Sequence, residues 1–282
     1  MNIIFDIPGW IGKVLMATAV VKGLKSKYPT DKIITVSGHP LVFKNNPNVH
    51  ASFQLADRDR VREQYIKDQE CKIIAREPYY EEDHIFQREH CLETWVKILD
   101  LEYWGQQPDI YLDDQEIQSY KNLYKSDKPI MVIQPHGGAS PEVPYNWVRD
   151  IPPKITKKLI EKYKDTHTIY LIKSPKQPKY KDVKEEIGSI RRVAILLSMA
   201  EKRYLIDSFA QHLAMALRKP STVFWIGTNP KVFGYDLHNN IKSNSYQFPT
   251  DSGLYHGRNL TEVIESLPYT SEDCIFDVEK II

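Results

Sequence analysis

The chain has 282 residues, 41% hydrophobic and 27% charged, enough for two ordinary domains that each bury a core of their own. Its 38 Lys and Arg nearly balance 37 Asp and Glu, for a formal net charge of +1, so no global basic field argues for a nucleic-acid partner. Cys71, Cys91 and Cys274 are odd in number, far apart and without CxxC or Cys/His ligand spacing, which excludes a disulfide framework and a zinc site and fits a reducing, cytoplasmic setting.

The opening Met1-Asn-Ile-Ile-Phe-Asp6 lacks the regions of a signal peptide, and no apolar run reaches the length that spans a bilayer, so the protein is expected to be soluble or at most peripheral to a membrane. Residues 2–5 predict a short strand, 13–27 a helix from the spacing of Val14, Leu15, Thr18, Val21 and Leu24, and 32–36 a β-branched strand, which together make a βαβ unit of a parallel sheet. Further strands are expected at 52–55 and 72–75, a polar loop at 79–84, and helices at 87–99 and 113–125. Ser126-Asp-Lys-Pro129 then breaks the pattern, and a domain boundary is placed there, dividing 1–127 from 128–282. The second half repeats the alternation: strand 130–133, helix 154–164, strand 168–172, helix 190–199, strand 203–206, helix 209–217 and strand 222–225. The Pro- and Lys-rich 173–181 reads as a surface loop. Two doubly wound α/β units in series leave a cleft between them, with ligands expected beyond the carboxyl ends of the strands.

The strand-to-turn junctions carry the candidate chemistry. After the first strand, Ile7-Pro-Gly-Trp-Ile-Gly12-Lys13 allows close backbone approach at Gly9 and Gly12; it is neither GxGxxG nor a P-loop, and alone it reads better as a tight βα turn. Gln134-Pro-His-Gly-Gly138 places a second glycine pair at a carboxyl edge, where His136 reads equally as a ligand contact and as an ordinary loop histidine. Asp207 and Ser208 end a strand and open a helix, where free amides and the helix dipole favour an anion, although Asp207 also suits a simple cap. His212, five residues beyond Asp207, suits a core role nearly as well as a ligand contact. Lys231 and Tyr235 follow the next strand at the same edge and read as phosphate and base contacts or as a solvated loop.

Over nearly its whole length the chain resembles the GT-B glycosyltransferases of the heptosyltransferase-like family 9. Gly12-Lys-Val-Leu-Met-Ala-Thr-Ala19 is similar to that family's Gly-Asp-Val-Leu-x-x-Thr-Pro segment. Tyr28-Pro29, Asn46-Pro47-Asn48-Val49 and Gln134-Pro-His-Gly-Gly138 look like further landmarks. The most specific likeness is Asp207-Ser208 with His212-Leu-Ala-Met-Ala216 and Lys219-Pro220, similar to the family's Asp-Ser/Thr-Gly-x-x-His segment. The resemblance implies two Rossmann-like domains facing a cleft, a nucleotide-diphospho-sugar donor bound by this last segment, and inverting transfer to a hydroxyl of a glycan or lipid-linked acceptor held by the first domain.

Read with that resemblance, the amides of Ser208 and Phe209 meet the diphosphate, Gly12, His136, Gly137 and Gly138 contribute from across the cleft, and Asp207 bonds sugar hydroxyls. The acidic residue of the family's first motif is Lys13 here. A lysine accepts a proton only when neutral, so Lys13 is expected to have exchanged a general-base role for an electrostatic one, with Asp6 and Glu142 the nearest carboxylates to replace it. Phe209 stands where the family has glycine. No cofactor and no metal are expected, since the helix dipoles with Lys13 or Lys231 can offset leaving-group charge. The rival readings are a donor-binding protein without turnover and a GT-B hydrolase or epimerase of the nucleotide-sugar itself.

Overall fold

Apolar strands that alternate with amphipathic helices bury both faces of a sheet, and here they assemble two sheets whose strand pairs are all parallel. The computed structural model describes residues 1–137, 149–244, 271, 274–277 and 281. The first half runs β1 (Asn2–Ile7), α1 (Ile11–Lys27), β2 (Lys32–Ser37), β3 (Ala51–Gln54), α2 (Arg58–Val61), β4 (Cys71–Ile74), α3 (Glu82–Ile85), α4 (Cys91–Ile98) and α5 (Asp114–Leu123). The second runs β5 (Ile130–Ile133), α6 (Pro153–Tyr163), β6 (Thr168–Ile172), β7 (Lys184–Glu186), α7 (Ile190–Met199), β8 (Lys202–Ile206), α8 (Phe209–Ala216), β9 (Thr222–Trp225), α9 (Pro230–Phe233) and β10 (Asn239–Lys242).

The sheet orders are β3-β2-β1-β4 and β10-β9-β8-β5-β6-β7. Each reverses once, between β1 and β4 in the first sheet and between β5 and β8 in the second. In doubly wound sheets the crevice that receives a ligand opens beyond the carboxyl ends of the strands at such a reversal. The turns that leave β1, β4, β5 and β8 therefore define the two sides of the site.

Helix α1 explains why the halves adhere. Its residues Lys13–Val21 are all buried, so it has no solvent face, as expected of a helix that is apolar on every side. One side lies on its own sheet and another packs against α8 of the second half. A single hydrophobic cluster consequently runs from Ile3, Phe5 and Leu15 through Trp95 to Leu197, Leu213 and Trp225. A separate cluster, with Met131, Leu159, Leu171, Phe224 and Phe276, fills another face of the second sheet.

Departures from the expected elements have local causes. The strands β7 and β10, Lys-Glu-Glu and Asn-Asn-Ile-Lys, are the edges of their sheet and need no apolar pattern to pair. The expected helix at 87–99 begins only at Cys91, because Gln87 has φ 54° and closes the preceding turn. In the loop at 79–84, His84 is buried between the rings of Tyr79 and Phe233, at 5.1 and 5.6 Å. Lys173, expected on a surface loop, is buried and pairs with Glu185 at 3.1 Å. Helix α5 precedes the expected boundary yet packs on α7 of the second half.

Candidate functional site

At the second sheet's reversal, β5 delivers Gln134 and β8 delivers Asp207 and Ser208. The Gln134 amide nitrogen donates to Ser208 Oγ at 3.1 Å and bridges the two strand ends. The other atom of that amide, Gln134 Oε1, is buried without a partner among the described residues. Asp207 is 5% exposed. Burial raises its carboxyl above the usual carboxylate range, while Arg149 and a hydrogen bond from Thr228 pull it back. The Arg149 Nε stands 3.8 Å from Asp207 Oδ2.

The backbone departs from the expected phosphate cradle. The Ser208 N–H donates back to the Ile206 carbonyl at 2.7 Å, so the amides that the first turn of α8 leaves without intrahelical carbonyls are those of Phe209 and Ala210. The Gly137 N–H donates to Asp150 Oδ1 at 2.9 Å, and His136 Nδ1 meets Asp150 Oδ2 at 3.1 Å. His136 Nε2 meets the Tyr180 hydroxyl at 3.2 Å. A buried carboxylate thus takes up the edge amide and ring nitrogen that were expected to face a ligand. Gly138 and Glu142 lie outside the described residues.

The first sheet's reversal is closed by a lysine and a glutamate. Gly9 has φ 113°, and a β-carbon there would lie 2.9 Å from both Cε and Nζ of Lys13. The lysine side chain has folded back over the turn, which only glycine permits at that distance. Lys13 is 8% exposed, its Nζ is 2.8 Å from Oε1 of Glu77 in the loop after β4, and it stands 5.6 Å over the ring of Tyr79. Tyr79 in turn feels the charges of Glu77, Arg149 and Asp207, so its ring borders both reversals. Burial is the chief cause that raises its hydroxyl well above the ordinary tyrosine range.

Gly12 serves the seam between the halves. A β-carbon at Gly12 would approach His212 Cδ2 of α8 to 3.3 Å. His212 is 4% exposed, bonded through Nδ1 to the Tyr235 hydroxyl at 2.7 Å. Burial, aided by His90, His238 and Arg149, pushes its imidazole down to about 3. Of the remaining predicted residues, Asp6 is committed to Arg58, whose Nη2 lies 3.0 and 2.7 Å from its two carboxylate oxygens. Lys231 is exposed on α9.

Glu77, Tyr79 and Arg149 were not singled out from the sequence. Arg149 follows the Gln134-Pro-His-Gly-Gly138 turn by eleven residues in sequence and belongs to no motif. Glu77 carries no motif, and its place depends on strand order rather than on spacing.

No family model matches the sequence, and no curated protein does. Solved structures do match it. The chain is similar to the ADP-heptose LPS heptosyltransferase II of E. coli, at 14% identity over 88% of this chain and 92% of that one, with a TM-score of 0.65. A family 9 glycosyl transferase from Veillonella parvula matches at 11% identity over 99% and 94%, with a TM-score of 0.70. The dodecameric iron-containing heptosyltransferase TibC, described in complex with ADP-D-β-D-heptose, matches at 12% identity over 99% and 72%, with a TM-score of 0.66; TibC is from enterotoxigenic E. coli. At these identities the likeness is one of fold. The chain has the GT-B fold in its heptosyltransferase-like form.

The comparison corrects the expectation that a protein of this kind needs no metal, because TibC, which shares the fold, is described as iron-containing. The helix dipoles and lysines bear only on how leaving-group charge is met in the cleft and do not constrain a metal elsewhere in the fold. Among the described residues, no three His, Cys, Asp or Glu side chains converge as metal ligands would, so these residues do not fit an iron centre.

Proposed function

We propose that the chain is a glycosyltransferase that binds a nucleotide-diphospho-sugar at the β5/β8 reversal and transfers the sugar, with inversion, to a hydroxyl of a glycan or lipid-linked acceptor. The observation that carries this reading is Asp207, a buried carboxyl beside Arg149 at the start of α8. A buried acid is costly unless something polar meets it, and sugar hydroxyls meet it as donors. Arg149 and the amides of Phe209 and Ala210 supply positive potential for the diphosphate. Lys231, exposed at the same edge, is a further phosphate contact. Lys13 is engaged with Glu77, which leaves leaving-group charge chiefly to Arg149 and the helix.

In the reaction, the acceptor oxygen attacks the anomeric carbon as the bond to the diphosphate breaks, and the nucleoside diphosphate leaves with the electron pair. The acceptor proton passes to a base on the first domain. Trp10, 81% exposed beside Gly9, and Tyr80, 73% exposed in the loop after β4, offer aromatic faces to an acceptor sugar. Two of the similar proteins are described with ADP-heptose, so ADP and ADP-heptose are the first probes.

Calorimetric titration tests the reading, with UDP-, GDP-, CMP- and dTDP-sugars in parallel. We expect one nucleotide-sugar to bind saturably. Asp207→Ala should weaken it by about 1.5–3 kcal/mol, roughly ten- to a hundredfold, while changing the matching free nucleotide far less. Arg149→Ala should weaken both. No binding of any probe at millimolar concentration would overturn the donor site. Binding without turnover would favour the rival reading of a donor-binding protein.

A further inference from the structure

The proposed transfer leaves unassigned the group that takes the acceptor's proton. We infer that Glu77 is that general base, and that Lys13 positions it across the first sheet's reversal; the inference rests on the transferase reading above. Glu77 enters from the loop after β4 and Lys13 from the turn after β1, strands that lie side by side where the sheet reverses. Their side chains meet at 2.8 Å. A carboxylate delivered by a neighbouring strand thus reaches the reversal at which α1 carries a cation.

Three observations favour Glu77 over other carboxylates. Its Oε1 is held by Lys13, and the side chain keeps 21% exposure. Asp6 on the same sheet edge is covered on both oxygens by Arg58, and Glu81 in the same loop is paired with Arg76 at 2.9 Å. Asp207 belongs to the opposite sheet, on the side assigned to the donor. The ring of Tyr79 lies under Lys13 and feels the charges of Glu77, Arg149 and Asp207 alike, which brings the pair and the donor side to the same ring, and a base must lie within reach of the reacting centre.

The step balances simply. Glu77 takes the hydroxyl proton while the acceptor oxygen forms its bond to the anomeric carbon, and the carbon–oxygen bond to the diphosphate breaks with its electron pair on the leaving group. The proton on Glu77 then passes to solvent. Lys13 does not touch the reacting atoms and acts by fixing the carboxylate. Gly9, at φ 113°, leaves the space over the turn that the Lys13 side chain fills.

The test uses the full chain with ADP-heptose and the other nucleotide-sugars, reading donor affinity by titration and release of nucleoside diphosphate with water standing in for the acceptor hydroxyl. Glu77→Gln should keep donor affinity within about threefold and lower turnover by about 10²–10⁴-fold, the range of a lost general base. The wild-type rate should fall on the acid side of its pH profile, and that fall should vanish in Glu77→Gln. Glu77→Asp should recover part of the rate. Lys13→Met should lower turnover at unchanged donor affinity, with Lys13→Arg restoring most of it. Turnover within threefold of wild type in Glu77→Gln overturns the base while leaving the transferase reading intact. A wild type that binds donor but never releases nucleotide overturns the base and favours the donor-binding protein without turnover, and one that binds no donor overturns the donor site as well.

Discussion

His212 shows how one residue can be legible by position and not by role. Its place in the Asp-Ser-x-x-x-His segment suggested a donor contact, yet the side chain is buried against Tyr235 and beside Gly12, inside the seam between the halves. His90 shares that seam, with its ring 5.3 Å from Tyr235, and burial pushes its imidazole down to about 4. Both folded-state values lie below the ordinary 6.5, so the unfolded chain binds more protons and stability is lost as pH falls from about 6.5 towards 4. The loss should be about 2 kcal/mol per histidine between pH 6.5 and 5. Urea denaturation at both pH values checks this, and His212→Asn should flatten the dependence by roughly half; an unchanged slope would show that His212 is not the source. Single residues such as these are hard to read from sequence, because burial depends on which helix arrives from the other half.

Elements were far more legible. The strands at 130–133, 168–172 and 222–225 and the helix at 190–199 have the expected bounds, since β-branched runs and 3.6-residue periodicity act locally. What escaped were the second sheet's edge strands β7 and β10, whose pairing needs only backbone groups, and the allegiance of α5. That helix is tied to α7 by Arg191, which is 2% exposed. Arg191 donates to Glu116 Oε1 at 2.8 Å, to the Tyr111 carbonyl at 2.6 Å and to the other Glu116 oxygen. Arg191→Ala leaves Glu116, 10% exposed, with Lys44 Nζ at 3.6 Å as its remaining cation, and we expect the lost charge-assisted bonds to cost about 1.5–3 kcal/mol, measurable as a shift of the urea midpoint. The double variant with Glu116→Met should recover much of that loss, since both charges are then gone. If Arg191→Ala costs less than about 1 kcal/mol, the pair does not hold α5 to the second half.

At the scale of the whole molecule, the plan of two parallel α/β sheets was readable because two rounds of βα alternation leave few topologies open, while its GT-B form was implied by the family resemblance. The candidate site was readable by half. Turns at carboxyl edges could be found in the sequence, but the pairing of the β1 and β4 turns that joins Lys13 to Glu77 is set by strand order, which one sequence does not display. The central claim is that a nucleotide-sugar binds where β5 and β8 part. Hydrogen exchange by mass spectrometry, with and without the nucleotide-sugar that titration identifies, tests this most directly. Slower exchange is expected in peptides covering 206–213 and Arg149, with little change at the β10 edge. Saturable binding that leaves 206–213 unprotected, or protects another surface instead, would contradict it.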